Sequence, residues 1–519
     1  MTRSLGPLRL RWLPAAFLVF ALARPAAAKI KYRVSFEHPE RHSFHVTVTV
    51  PVANKDVVAA MPAWNALYQI RDFAYRVRSM FVLDSDGSES HEQVPEELDK
   101  QTWLVCRCAS LKARPREITF AYSVEWNDPG PFNSQLNEHH AFLNLAEVLM
   151  YVPDRRSEAA EVQFENVPAN WKLIAELPSG PDPDSFVAAS YDALVDAPVE
   201  AGTFDEFDFD EDGGHFRVAV DSQGYNRNRL EDYLQRITSY ELRLMGGPPF
   251  HEYTFLFHIG PFPEAGGGGM EHANSTAISA DSVDELKNLS AHEFFHTWNV
   301  KRIRPQALEP VDYTKEQYTR VLWFAEGVTS TYAAYALERT GLWPKSSFYD
   351  DLASQITDLE SRPARKWQSV EDSSVDAWLE KYPDYNAPGR SISYYDKGQI
   401  LGVMLDLAIR DATDNRKSLD DVMRLMNEEY AKKGQFYNGD DAIRAAVEKV
   451  AGANFDDFFR RYVAGVDEIP YGKFLSIAGL QLEQGGANGG GVYTISEISH
   501  PSERQRRIRE GLLRGTTNP

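Results

Sequence analysis

The chain has 519 residues, too many for one compact domain. With 43% hydrophobic and 25% charged residues it has the composition of a globular protein that buries a large core. A formal net charge of −21 argues against nucleic-acid binding, which needs a basic surface to displace counterions. The same charge favours solubility and carries no information about fold.

Residues 1–28 have the pattern of an export signal. Arg3, Arg9 and Arg11 form a basic start, Trp12 to Ala23 is an apolar run too short to span a bilayer, and Ala26 to Ala28 supply small residues for cleavage. This predicts an exported protein, periplasmic or secreted, whose mature chain begins at Lys29 and keeps no stable membrane association. Residues 29–170 predict an N-terminal β domain. Phe44, Val46, Val48 and Val50 alternate with polar residues, Ile118 to Tyr122 is rich in strand formers, and Asn127 to Gly130 is a turn cluster. Cys106 and Cys108 stand two apart in a strand-like segment, where a bridge would be strained, so free thiols are expected.

From Val162 to Val220 more strands are predicted, among them Phe216 to Val220. Just before it, Asp208, Asp210, Asp212 and Gly213 open like a calcium loop, but the closing position is Ala219, which has no carboxylate; a solvated turn between strands is expected. From Tyr225 the pattern turns helical: Asn226 to Met245, Ser282 to Val300, Glu316 to Arg339 and Gly398 to Ala412, with more helices between Ser418 and Val466. A β-rich part followed by a helical one predicts an α+β multidomain fold. Gly485 to Gly491 resembles a linker, Val492 to Ile498 a strand and Glu503 to Leu513 a helix.

His292-Glu293-Phe294-Phe295-His296 is an H-E-x-x-H motif in a helical stretch. Residues four apart share a helix face, so both imidazoles can hold one metal ion, and Glu293 is placed to take a proton from the attacking water. A catalytic zinc needs a third protein ligand. Glu326 is the candidate, an acid inside an otherwise apolar helical stretch where burial is costly unless it is paired; the alternative is an ion pair with Arg320 or Arg302. Upstream, the glycine run ending in Gly268-Gly269-Met270-Glu271 lets another backbone approach and suits a peptide lying along a strand edge. Glu271 then either pairs with a cationic group of the substrate or is an incidental acid in a loop. Downstream, Tyr394 and Tyr395 open a helix; either can pack or donate to an oxyanion.

Together these segments resemble the glycyl aminopeptidase family, relatives of larger zinc aminopeptidases with a thermolysin-like catalytic domain, often carrying a C-terminal PDZ domain. Gly268 to His272 is similar to the exopeptidase motif, with His272 where the larger relatives have Asn. His292 to Trp298 is similar to the zinc helix, Asn299 to Pro305 to its continuation, Trp323 to Gly327 to the third-ligand helix, and Tyr395 to Gly398 to the segment bearing the catalytic tyrosine. The resemblance implies a zinc aminopeptidase with one Zn2+ on His292, His296 and Glu326, and with Glu293 and Tyr395 as catalytic groups. Gly268, Gly269, Met270 and Glu271 would bind peptides with a free N-terminus, Glu271 taking the α-amino group, and the residues released would be glycine or alanine. It implies a thermolysin-like domain over 171–412, a helical region over 413–470 and an incomplete PDZ-like segment over 471–519. An endopeptidase on the same site, or a silent peptide-binding protein, remains as an alternative.

Overall fold

The computed structural model describes residues 30–515 apart from 53–54, 66–67, 85–86, 91–93, 112–114, 261–266, 380–385 and 486–490. The expected export signal, and most of the expected linker, lie outside the described residues.

The first part of the chain is built from sheets. Ser43–Pro51 buries Phe44, Val46, Val48 and Val50 on one face, as its alternation predicts, and pairs with Ile30–Ser35 and Glu117–Glu125 in a six-stranded sheet. A three-stranded sheet joins Val57–Ala60, Thr102–Cys106 and Glu96–Asp99. The expected thiols are corrected here: Cys106 and Cys108 form a disulfide, with Cα atoms 5.1 Å apart. The strand ends at Cys106 and a short 3-10 turn begins at Cys108, so the chain bends between them instead of running on as one strand face. A four-stranded sheet runs Lys172–Ala175, Val199–Gly202, His140–Leu143, Gln135–Leu136. Strands as late as residue 202 therefore pair within this first part, beyond the boundary at 170 that sequence texture predicts.

The central sheet follows. Its strands are β1 (Asp205–Glu211), β2 (Gly214–Ser222), β3 (Glu252–Ile259), β4 (Gly268–Glu271) and β5 (Ser275–Ala280), in the order β1-β2-β3-β5-β4. The acidic run forms β1 and its turn. Asp212 (φ 44°) and Gly213 (φ 86°) make a tight hairpin, and Asp212 pairs with Arg243, so the solvated turn is what forms. Between β2 and β3 lies helix α1 (Arg227–Met245), begun by an Asn226 side chain that accepts from Arg229 N and ended by Gly246 at φ 87°.

Helix α2 (Val283–Phe295) packs Phe294 against Phe216 and Tyr253 of the sheet. The next expected helix starts late. The side chain of Gln317 accepts from Asp312 N and donates to Pro310 O, closing a loop, and regular structure resumes in a π-helical turn, Trp323–Val328, that leads into α3 (Thr329–Arg339). Helix α4 (Tyr394–Ala412) starts earlier than expected because Ser393 caps it, accepting from Asp396 N. Helices Lys345–Ser361, Leu419–Glu429 and Gly439–Ala451 share one apolar core with α1 to α4 and the central sheet.

The C-terminal residues form an antiparallel hairpin, Leu480–Gly485 with Val492–Glu497, and a helix, Glu503–Arg514. They dock on the helical region through Tyr493 N to Thr357 Oγ1 (3.0 Å) and Asn415 Nδ2 to Arg507 O (2.9 Å). Among the described residues no helix is long and apolar enough to cross a membrane. The protein is a mixed α/β multidomain molecule with an N-terminal β part and a helical region.

Candidate active site

Helix α2 has one face that must be buried and one that can carry chemistry. Leu286, Phe294 and Phe295 face the core, and Phe295 stacks on Tyr332 of α3 with ring centroids 4.3 Å apart. The helical period then sets His292 and His296 one turn apart on the other face, with their Nε2 atoms 3.0 Å from each other. Glu326 Oε2 lies 3.4 Å from His292 Nε2 and 3.2 Å from His296 Nε2.

The opposite side of each ring explains this contact. His296 Nδ1 donates to Asn299 O at 2.6 Å, and His292 Nδ1 faces Ser330 Oγ at 3.3 Å, a hydroxyl whose own proton goes to Glu326 O. With Nδ1 holding the proton, each Nε2 presents a lone pair toward the other and toward a carboxylate oxygen. Such a cluster repels itself unless a cation lies between. Donor separations near 3.3 Å are about the edges of a tetrahedron of ligands roughly 2.0 Å from a central ion. The three residues fit a catalytic metal with its fourth position open.

The alternative pairing for Glu326 is not found. Arg302 donates to Ala273 O, Thr297 O and Asn274 Oδ1, and Arg320 pairs with Glu371 and Asp372. Burial raises the Glu326 pKa, and the carboxyl is held below the ordinary value only when a positive charge, a proton on the facing His296 and His292 or a cation in its place, lies against it. Glu293 goes the other way. Burial, with the nearby charges of Glu271 and Glu326, pushes it well above the usual carboxylate range.

The π-helical turn carries Glu326 and is bolted to the segment after α2: Asn299 Nδ2 donates to Phe324 O (2.8 Å) and to Thr329 Oγ1 (3.2 Å). It also crosses α4 glycine to glycine. A methyl on Gly327 would lie 2.7 Å from Gly398 C and 2.9 Å from Gln399 N, so only glycine lets the two backbones touch. The crossing sets the start of α4 beside the cleft. Tyr394 is buried there, whereas Tyr395 is 38% exposed, with its ring 6.1 Å from the His292 ring.

On the other side, β4 is the outermost strand of the central sheet, so among the described residues one edge of Gly268 to Glu271 has no strand partner. Gly269 lies against Glu293: a methyl there would come within 2.6 Å of the Glu293 Cδ. The Glu271 and Glu293 carboxylates and a His296 nitrogen lie within 4.8 Å of one another. His272 is buried, with Nδ1 3.5 Å from Asp196, which also pairs with Lys301 (2.6 Å) and accepts from Ala273 N (3.0 Å).

A cavity of about 150 Å³ unites Gly269, Glu271, His292, Glu293, Glu326 and Tyr395. Its remaining wall includes Tyr68 and Phe132 of the N-terminal part, which sequence reasoning missed. Neither stands in a motif; only chain topology brings them here. A second cavity of about 370 Å³ adjoins it, with Tyr68 and Glu271 lining both.

The sequence model of the M61 glycyl aminopeptidase family matches residues 285–401, and that of the peptidase M61 N-terminal domain matches 31–203, together more than half of the chain. No curated protein matches the chain. Among solved structures it is similar to an aminopeptidase N family protein from Idiomarina loihiensis, 26% identical with a TM-score of 0.81, covering 88% of this chain and 79% of that one. It shares its fold with an M1 zinc metallopeptidase from Deinococcus radiodurans, 15% identical with a TM-score of 0.50, covering 86% of this chain and 95% of that one. The chain is a peptidase and belongs to the M61 glycyl aminopeptidase family.

Proposed function

We propose that the protein is a zinc-dependent aminopeptidase that releases small N-terminal residues, glycine or alanine, from peptides. The observation that carries the reading is the convergence of His292 Nε2, His296 Nε2 and Glu326 Oε2, with both imidazoles tautomerically committed to that centre. The metallopeptidase neighbour and the H-E-x-x-H helix favour zinc in a thermolysin-like domain. Bound zinc supplies a Lewis acid and lowers the pKa of water.

The chain's own groups do the rest. Glu293 takes a proton from the attacking water and gives it to the leaving amine; its raised pKa makes it a willing carrier. The Tyr395 hydroxyl donates to the oxyanion that forms at the scissile carbonyl. Gly268, Gly269 and Met270 offer the β4 edge to the peptide backbone, and Glu271 holds the free α-amino group. Residues 1–28 act as an export signal for a periplasmic or secreted enzyme, and the C-terminal hairpin and helix belong to a PDZ-like segment.

The deciding measurement is hydrolysis of two peptides that share an N-terminal glycine and differ only in N-acetylation. Cleavage of the free peptide alone supports an aminopeptidase anchored through Glu271. Equal cleavage of both makes it an endopeptidase, and cleavage of neither, with zinc bound, leaves a silent peptide-binding protein.

A further inference from the structure

A second set of metal-type donors lies outside the reaction centre, where the N-terminal sheets meet the central sheet. His140 and Glu200 come from neighbouring strands of the four-stranded sheet. Asp221 and His258 stand side by side on β2 and β3. Glu200 bridges the two sheets: Oε1 lies 3.0 Å from His140 Nδ1 and Oε2 lies 2.9 Å from His258 Nε2. Asp221 Oδ2 is 3.5 Å from the same His140 Nδ1. Glu200 and His258 are buried and Asp221 is partly open to solvent.

Proton placement makes the cluster unusual. The Gln135 amide nitrogen donates to Asn127 Oδ1, which turns Gln135 Oε1 toward His140 Nε2 at 3.0 Å. That nitrogen must therefore carry a proton, and a neutral His140 then aims a lone pair from Nδ1 at two carboxylates. Among the described residues, Glu200 and Asp221 form ion pairs only with histidines, so no lysine or arginine offsets their charge. A buried carboxylate such as Glu200, with a second one beside it and no compensating cation, is costly. A divalent ion would offset both carboxylates at once, whereas protonation needs two separate protons.

We propose that His140, Glu200 and His258 form a second zinc site, separate from the reaction centre, with Asp221 beside His140 to offset the ion's charge. Two imidazole nitrogens and a carboxylate suit zinc, and the site lies where two sheets meet rather than in the reaction cavity, so its part is structural. It clamps the N-terminal β part to the sheet that carries β4 and, through α2, the reaction centre.

The test is the zinc content of the full chain after loading and dialysis, measured by elemental analysis. The wild type should hold two ions and His258→Ala one. His292→Ala/His296→Ala should keep one, with a melting temperature that still rises on adding zinc. One ion in the wild type that disappears in His292→Ala/His296→Ala overturns the proposal and leaves His140 and His258 as protonated partners of the carboxylates. One ion in the wild type that survives His292→Ala/His296→Ala but disappears in His258→Ala supports the clamp and sinks the assignment of the reaction centre instead. If His258→Ala fails to fold, the wild-type and His292→Ala/His296→Ala counts still decide.

Discussion

Glu293 combines burial with two neighbouring carboxylates, so it keeps a proton more readily than a surface glutamate does. Replacing it with alanine should lower kcat by about 10²–10⁴-fold and leave the zinc content unchanged. Tyr395→Phe keeps the ring against His292 and removes one donor. Steady-state kinetics should show kcat falling by about 10²-fold with little change in KM. At Asp196 burial raises the pKa, but Lys301 and His272 outweigh it, so the native value lies below the ordinary 3.8. Stability from such an acid is present above 3.8 and is lost as pH falls through the native value. Asp196→Asn should therefore cost about 1.5–3 kcal/mol at pH 7, and urea titrations should show the gap narrowing below pH 3.8. At this scale the sequence was most legible where one helical period fixes geometry, as for His292, Glu293 and His296. Glu326 was legible as an acid in an apolar run. Tyr68, Phe132 and the cluster around Glu200 were not, because each depends on strands far apart in the chain.

Strand β4 and helix α2 meet at Gly269, where the strand presses directly on the side chain of Glu293. Gly269→Ala must displace either the Glu293 carboxylate or β4. A misplacement of about 1 Å should cost on the order of 10² in kcat. Single-turnover rates, with zinc content as a control, would check this; an unchanged rate would show that β4 yields instead. From position alone the glycine run could be a loop or a place for a peptide along a strand edge; Gly268–Glu271 forms a strand. That it also abuts the general base was hidden, since contact between β4 and α2 needs the intervening β5. The late start of the π-helical turn was equally hidden: Gln317 serves a loop by side-chain hydrogen bonds that periodicity does not register.

Over the whole molecule, the N-terminal part has its own core and the central sheet shares another with the helices. They meet through facing sheet residues such as Phe142, Ile174 and Leu256, and through Trp64 and Trp378, whose rings cross edge to face at 5.0 Å. Tyr68 packs on Trp378 and lines the reaction cavity, so this contact holds one wall of the site. Trp378→Ala should cost about 3–5 kcal/mol by thermal or urea unfolding. It should also lower kcat/KM for peptides more than kcat for the shortest substrate. Fold class was legible because strand and helix periods change after Tyr225. The extent of the first part was not, since Lys172–Ala175 and Val199–Gly202 are recognisable as its strands only through their partners.

The glycine contact between the π-helical turn and α4 has a bearing on temperature. Side-chain interfaces loosen on warming as rotamers exchange, whereas Gly327 and Gly398 have no rotamers to exchange. The spacing between Glu326 and Tyr395 is thus held by backbone against backbone, and it should stay constant up to the point where the helices themselves separate.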